Sequence, residues 1–112
     1  MTPERILKKD VKILLDELGA YYYMPVPSGY GDTTLDFLCC ILGRFVGIET
    51  KAKGKKPTAR QALKMQAIRR SGGVAVWGDN LDTIIDHLML HFDLDMARQE
   101  EECRRLRQDA GP

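Results

Sequence analysis

Three cysteines, two of them adjacent (Cys39 and Cys40), are too few and too badly spaced for a disulfide framework. No apolar run approaches the ~20 residues that a membrane span needs, so a transmembrane protein is excluded on the sequence. The first residues, Met1-Thr2-Pro3-Glu4-Arg5, carry no apolar export signal. Together these absences lead us to expect a reducing, cytoplasmic setting, with no membrane partner. Net charge is also nearly lacking, at +1. What is present is enough for one core: 112 residues, 44% hydrophobic and 29% charged, the profile of a single globular domain.

The charge is unevenly spread. Residues 44–70 hold nine basic side chains and one acidic, whereas residues 79–102 hold eight acidic and one basic. A local excess of positive charge that large suits a phosphate-bearing partner, although a solvated helix face beside a lysine loop would read the same way.

Periodicity sets out the elements. Thr2 caps a helix over 3–18, with Pro3 at its first position and Gly19 ending it. Residues 20–24, 34–41 and 45–51 read as strands, the last two joined closely enough for a hairpin. Tyr21, Tyr22 and Tyr23, in the first of them, read as sheet packing. Thr58-Ala59-Arg60-Gln61 fits a capping box that opens a helix ending at Gly72-Gly73. Residues 74–77 form a short buried strand, 81–91 a helix and 95–108 a separate charged helix. The order αβββαβ implies an α/β fold with a mixed sheet flanked by helices and a C-terminal helical extension. We place the domain at 1–92 and a charged tail at 93–112.

The hairpin carries the chemistry. Along Phe45–Lys51 side chains alternate, so Glu49 and Lys51 share a face and Thr50 takes the other. A two-residue turn at Leu42-Gly43 sets Asp36 opposite Glu49; one at Gly43-Arg44 sets it opposite Lys51. Either register puts both carboxylates and the lysine on one face; a three-residue loop would pair Asp36 with Thr50 and put it on the other, unless a bulge corrects it. Two close carboxylates repel unless a cation lies between them, and hard oxygen donors favour Mg²⁺ or Mn²⁺. Such an ion activates water toward a phosphoryl centre, and a neighbouring lysine steadies the charge that develops. A salt-bridge cluster at a sheet edge is the plainer alternative.

Asp36 followed by Glu49-Thr50-Lys51 resembles the PD-(D/E)XK nuclease signature. With Glu4 on the first helix, Gly43-Arg44-Phe45 before the second strand, Pro57-Thr58-Ala59-Arg60-Gln61 opening the next helix and Gly72-Gly73-Val74-Ala75-Val76 closing the unit, the chain is similar to the VRR-NUC branch. The likeness is to the small stand-alone proteins of phages and bacteria, and spans about residues 3–90. Where that family has Gly-Val-Pro-Asp, this chain has Thr33-Thr34-Leu35-Asp36, which puts the local backbone bend in question. The resemblance implies a restriction-endonuclease-like core and metal-dependent hydrolysis of DNA, Holliday junctions in particular, by a homodimer in a bacterial or phage-infected cell. It implies that Asp36, Glu49 and the Thr50 carbonyl hold Mg²⁺ or Mn²⁺. Lys51 serves the attacking water, Glu4 adds a carboxylate, and Gln61 orients the site or touches DNA. Lys53, Lys55, Lys56 and Arg60 would grip phosphates and Tyr30 would stack on a base. A non-catalytic DNA-binding module on the same fold and a sequence-specific restriction-type nuclease are the rival readings.

Overall fold

The computed structural model describes residues 2–26 and 34–109, with the side chains of 94–100 left out. Helix α1 (Pro3–Glu17) begins where the Thr2 hydroxyl accepts the Arg5 N–H, with proline just inside the start. Strands β1 (Tyr21–Tyr23), β2 (Phe37–Ile41) and β3 (Arg44–Thr50) follow. Helix α2 (Ala59–Arg70) then leads into β4 (Val74–Gly78) and α3 (Leu81–Asp109). The sheet runs β1-β2-β3-β4; the first three strands are antiparallel neighbours and β4 joins β3 in parallel. A parallel neighbour needs a crossover, and α2 supplies it.

Each sheet face has its own core. On one, Leu7, Val11 and Leu15 of α1 and Ile84 and Leu88 of α3 pack on Phe37, Ile41, Val46, Ile48, Val74 and Val76. On the other, Met65 and Ile68 of α2 pack on Ala75, Trp77 and Leu35. Gly47 makes that second contact possible. A Cβ there would lie 2.7 Å from both the Leu35 and the Ile68 Cδ1 atoms, so a larger residue would push both side-chain ends off the strand.

The hairpin turn settles the register. Ile41 pairs with Arg44 and Phe37 with Ile48, so Leu42-Gly43 is the two-residue turn. Both turn residues have positive φ, +49° for Leu42 and +81° for Gly43, the conformation that hairpins of this length favour. Leucine is a poor occupant of that region, and it is 84% exposed. Leu42→Asn should therefore raise stability by about 1 kcal/mol, read from urea melts at fixed protein concentration. An unchanged or lower midpoint would show that the turn is not strained.

The C-terminal part departs from expectation. The two helices read over 81–91 and 95–108 are one helix, α3, which runs through position 93 without a break. Neither glycine nor proline stands between residues 81 and 109, so nothing in the backbone stops it. Among the described residues, no helix is long and apolar enough to cross a membrane.

Candidate active site

The parallel pair β3–β4 ends beside the N-terminus of α2, and five of the predicted site residues meet there. Glu49 is the last but one residue of β3, paired with Trp77, and only 3% exposed. Its Oε2 accepts the Asp36 N–H at 3.1 Å and its Oε1 accepts the Gln61 Nε2–H at 3.0 Å. Lys51, just past the strand, donates from Nζ to Gln61 Oε1 at 2.9 Å. That oxygen also accepts the Thr58 N–H, and the Thr58 hydroxyl accepts the Gln61 N–H, completing the capping box. One glutamine therefore closes the helix start and links the buried carboxylate to the lysine.

Asp36 enters differently from the simple pairing argument. The chain bends at Asp36, just before β2, and Leu35 turns into the α2-side core. The Asp36 carboxylate meets Thr50 instead: Oδ2 accepts the Thr50 N–H at 2.9 Å and the Thr50 hydroxyl at 2.6 Å. Thr50 is fully buried. Its hydroxyl lies on the face opposite Glu49, as alternation demands, so Asp36 and Glu49 reach the strand end from different sides. The bend forms without the glycine and proline whose absence put it in question; burial of Leu35 anchors it.

Lys8 joins the site although the sequence pattern does not single it out. Its Nζ lies 3.6 Å from Asp36 Oδ1, across from the Thr50 contacts. The available signal is its position four residues after Glu4, on the same half-buried stripe of α1. Glu4 itself stays one turn away. Among the described residues no group of three acidic, histidine or cysteine side chains is arranged to hold a metal ion.

The remaining predicted residues are placed as follows. Lys53, Lys55 and Lys56 are exposed on the loop between β3 and α2, and Arg60 is exposed in the first turn of α2. The loop is fixed at Gly54, whose N–H donates to Asp79 Oδ2 at 2.9 Å. That bond is the main reason the Asp79 carboxyl titrates below its ordinary range. Tyr30 lies outside the described residues. Of the three consecutive tyrosines, only Tyr22 packs in the core, against Phe37; Tyr21 and Tyr23 face solvent, contrary to the packing role expected of them.

Burial, and after it the neighbouring Asp36 carboxylate, push Glu49 up to about 7, against the pull of the Asp36 N–H and Lys51. Placing an anion there is costly without a further positive charge. The donor set fits a hard divalent cation: two carboxylates and the backbone carbonyl of Thr50 offer oxygen alone. A bound ion would offset the cost of the buried charge at Glu49 and supply Lewis-acid activation of water and phosphate.

No family model matches the chain, and no curated protein does. In fold the chain is similar to a solved structure described as a VRR_NUC domain, at 24% identity, with 82% of this chain and 99% of that chain covered and a TM-score of 0.65. The helix-flanked mixed sheet is an α/β, restriction-endonuclease-like core, and the resemblance read from the sequence holds at the level of fold.

Proposed function

We propose that the chain is a metal-dependent DNA endonuclease of the PD-(D/E)XK type that cuts branched DNA, Holliday junctions foremost, as a homodimer. The observation that carries the reading is the buried Glu49, bonded to the Asp36 backbone on one oxygen and tied to Lys51 through Gln61 on the other. A salt-bridge cluster at a sheet edge gives no reason to bury a carboxylate beside another and leave it short of positive charge.

Asp36, Glu49 and the Thr50 carbonyl would hold Mg²⁺ or Mn²⁺, whose contribution is to polarise the phosphate and acidify a water. Thr50 and Lys8 fix the Asp36 carboxylate. Gln61 aims the Lys51 ammonium, which orients the attacking water and stabilises the charge that builds on the phosphate. In-line attack would leave a 5′-phosphate. Glu4 would add a carboxylate from α1, directly or through water. Three unpaired cysteines fit the reducing interior of a cell, in keeping with a bacterial or phage-infected host.

For the dimer, support comes from an apolar groove of about 310 Å³ between α1 and α3, lined by Leu14, Leu18, Ile85, Met89 and Phe92. A two-fold pair of sites suits the symmetry of a four-way junction.

The test is a labelled four-way junction beside a matching linear duplex, each with Mn²⁺, Mg²⁺ or EDTA. Cutting of the junction with metal, and none in EDTA, is expected. Retardation without cutting under any metal would mean a binding module, and cutting of the duplex at one fixed sequence would mean a restriction-type enzyme.

Lys53, Lys55, Lys56 and Arg60 are exposed and would meet phosphates. Lys55→Ala with Lys56→Ala should weaken junction binding and reduce the slope of log K against log salt by about one for each phosphate that is no longer neutralised. An unchanged slope would remove both lysines from the DNA surface.

A further inference from the structure

Among the described residues, the face of the sheet that carries Glu49 and Lys51 is only half covered. Helix α2 packs over β3 and β4 through Met65 and Ile68, and leaves the β1–β2 half open. On that half, Tyr21 pairs with Cys40 and Cys40 with Phe45, a single cross-strand row. The next row is Tyr23, Leu38 and Gly47. Directly paired residues point to the same side, and Tyr22, on the opposite side, packs on Phe37. Tyr21 is 82% exposed, Tyr23 60% and Phe45 49%. Two tyrosine rings therefore stand in solvent, and the Phe45 ring half-exposed beside α2, on the side of the sheet that ends at Glu49, with β1 at its edge.

We infer that Tyr21, Tyr23 and Phe45 form a stacking platform for unpaired bases, so that the strand entering the site is single-stranded beside the bond to be cut. Aromatic rings on an open sheet take up bases of any identity, because every base has a π-face. The charge of the bordering helix suits the strand's phosphates: α2 contains Arg60, Lys64, Arg69 and Arg70 and no acidic residue. The acidic side chains of 79–102 belong to the segment following β4, whose helix α3 packs on the opposite face. A basic helix on one side of the trough and exposed rings on the other are the two components of a single-strand groove. The inference rests on the nuclease reading for its purpose, and on the sheet geometry alone for its existence.

The test compares binding of the full chain, in EDTA, to a short oligothymidine and to an abasic strand of the same length, by fluorescence anisotropy. The phosphates are equal in the two strands, so only stacking separates them. Wild type should bind the oligothymidine at least about tenfold more tightly. Tyr21→Ala with Tyr23→Ala should erase the difference and leave abasic binding unchanged, whereas the double replacement by Phe should keep it. Equal binding of both strands by wild type overturns the platform, with no variant needed. So does a base preference that survives the double alanine variant. A wild-type dimer that this variant turns into a monomer, with no base preference, makes the face a self-association surface and overturns it also. Junction cleavage by wild type is scored separately. Base preference without cleavage upholds the platform and removes the nuclease, while cleavage without base preference does the reverse.

Discussion

Glu49→Gln is expected to lower junction cleavage by roughly 100-fold or more while junction binding persists. The change keeps shape and size and removes one negative charge from the strand end. The new side chain has one oxygen in place of two, so it accepts from Gln61 Nε2 or from the Asp36 N–H but not from both, while the Thr58 N–H still holds the Gln61 oxygen that aligns Lys51. The Asp36 N–H faces either an oxygen or an amide group, depending on which way the new side chain turns. Lys51→Ala should reduce cleavage to a similar extent for a different reason. The carboxylates remain able to hold an ion, but the water and the developing phosphate charge are without their positive neighbour. The two variants thus separate by metal binding: Lys51→Ala retains it and Glu49→Gln abolishes most of it. Near wild-type rates in both would show that the roles are misassigned. Loss of DNA binding in parallel with cleavage would place these residues in substrate grip instead of chemistry.

The second large effect is on stability in the metal-free protein. Glu49 titrates near 7 when folded, because burial and Asp36 oppose its charge, against an ordinary value of 4.5. The folded state therefore binds the proton more tightly than the unfolded chain does. The stabilisation from this group is fully present below about 4.5 and is lost as pH rises through about 7. In EDTA the contribution to unfolding free energy should fall across that window by an amount on the order of 3 kcal/mol. Glu49→Gln, neutral at every pH, should flatten the fall. Adding Mg²⁺ or Mn²⁺ at pH 8 should raise Tm in wild type, since a ligand bound only by the folded state stabilises it. Melting curves across pH in EDTA check all of this. A stability that rises through the window and is unaffected by Glu49→Gln would mean that the carboxylate is not held at a cost.

Much of this arrangement is legible in the residues. The Thr58–Gln61 capping box and the Thr2 cap are local chemistry, and local chemistry survives folding. The hairpin leaves its register open on sequence, between a two-residue turn at Leu42-Gly43, one at Gly43-Arg44 and a three-residue loop. The structure selects the first, and accepts positive φ at leucine in doing so. Asp36 is misplaced by strict alternation extended one residue beyond where the strand begins. Burial of Leu35 against α2 breaks that alternation, a tertiary effect no period-two pattern contains. Lys8 is inconspicuous in the sequence because a lysine on an amphipathic helix is ordinary until a distant loop brings an aspartate to it. Tyr21 and Tyr23 read as packing because β propensity reports that a residue suits a strand, not whether anything covers its face.

The account depends on a divalent ion being held between the end of β3 and the bend before β2. A crystal soaked in manganese, with data collected for anomalous scattering, tests that directly. The account predicts one strong peak in contact with oxygens of both Asp36 and Glu49, missing in a Glu49→Gln crystal treated alike. Manganese-soaked wild-type crystals with no peak there, and Asp36 still paired to Lys8 and Thr50, would contradict it.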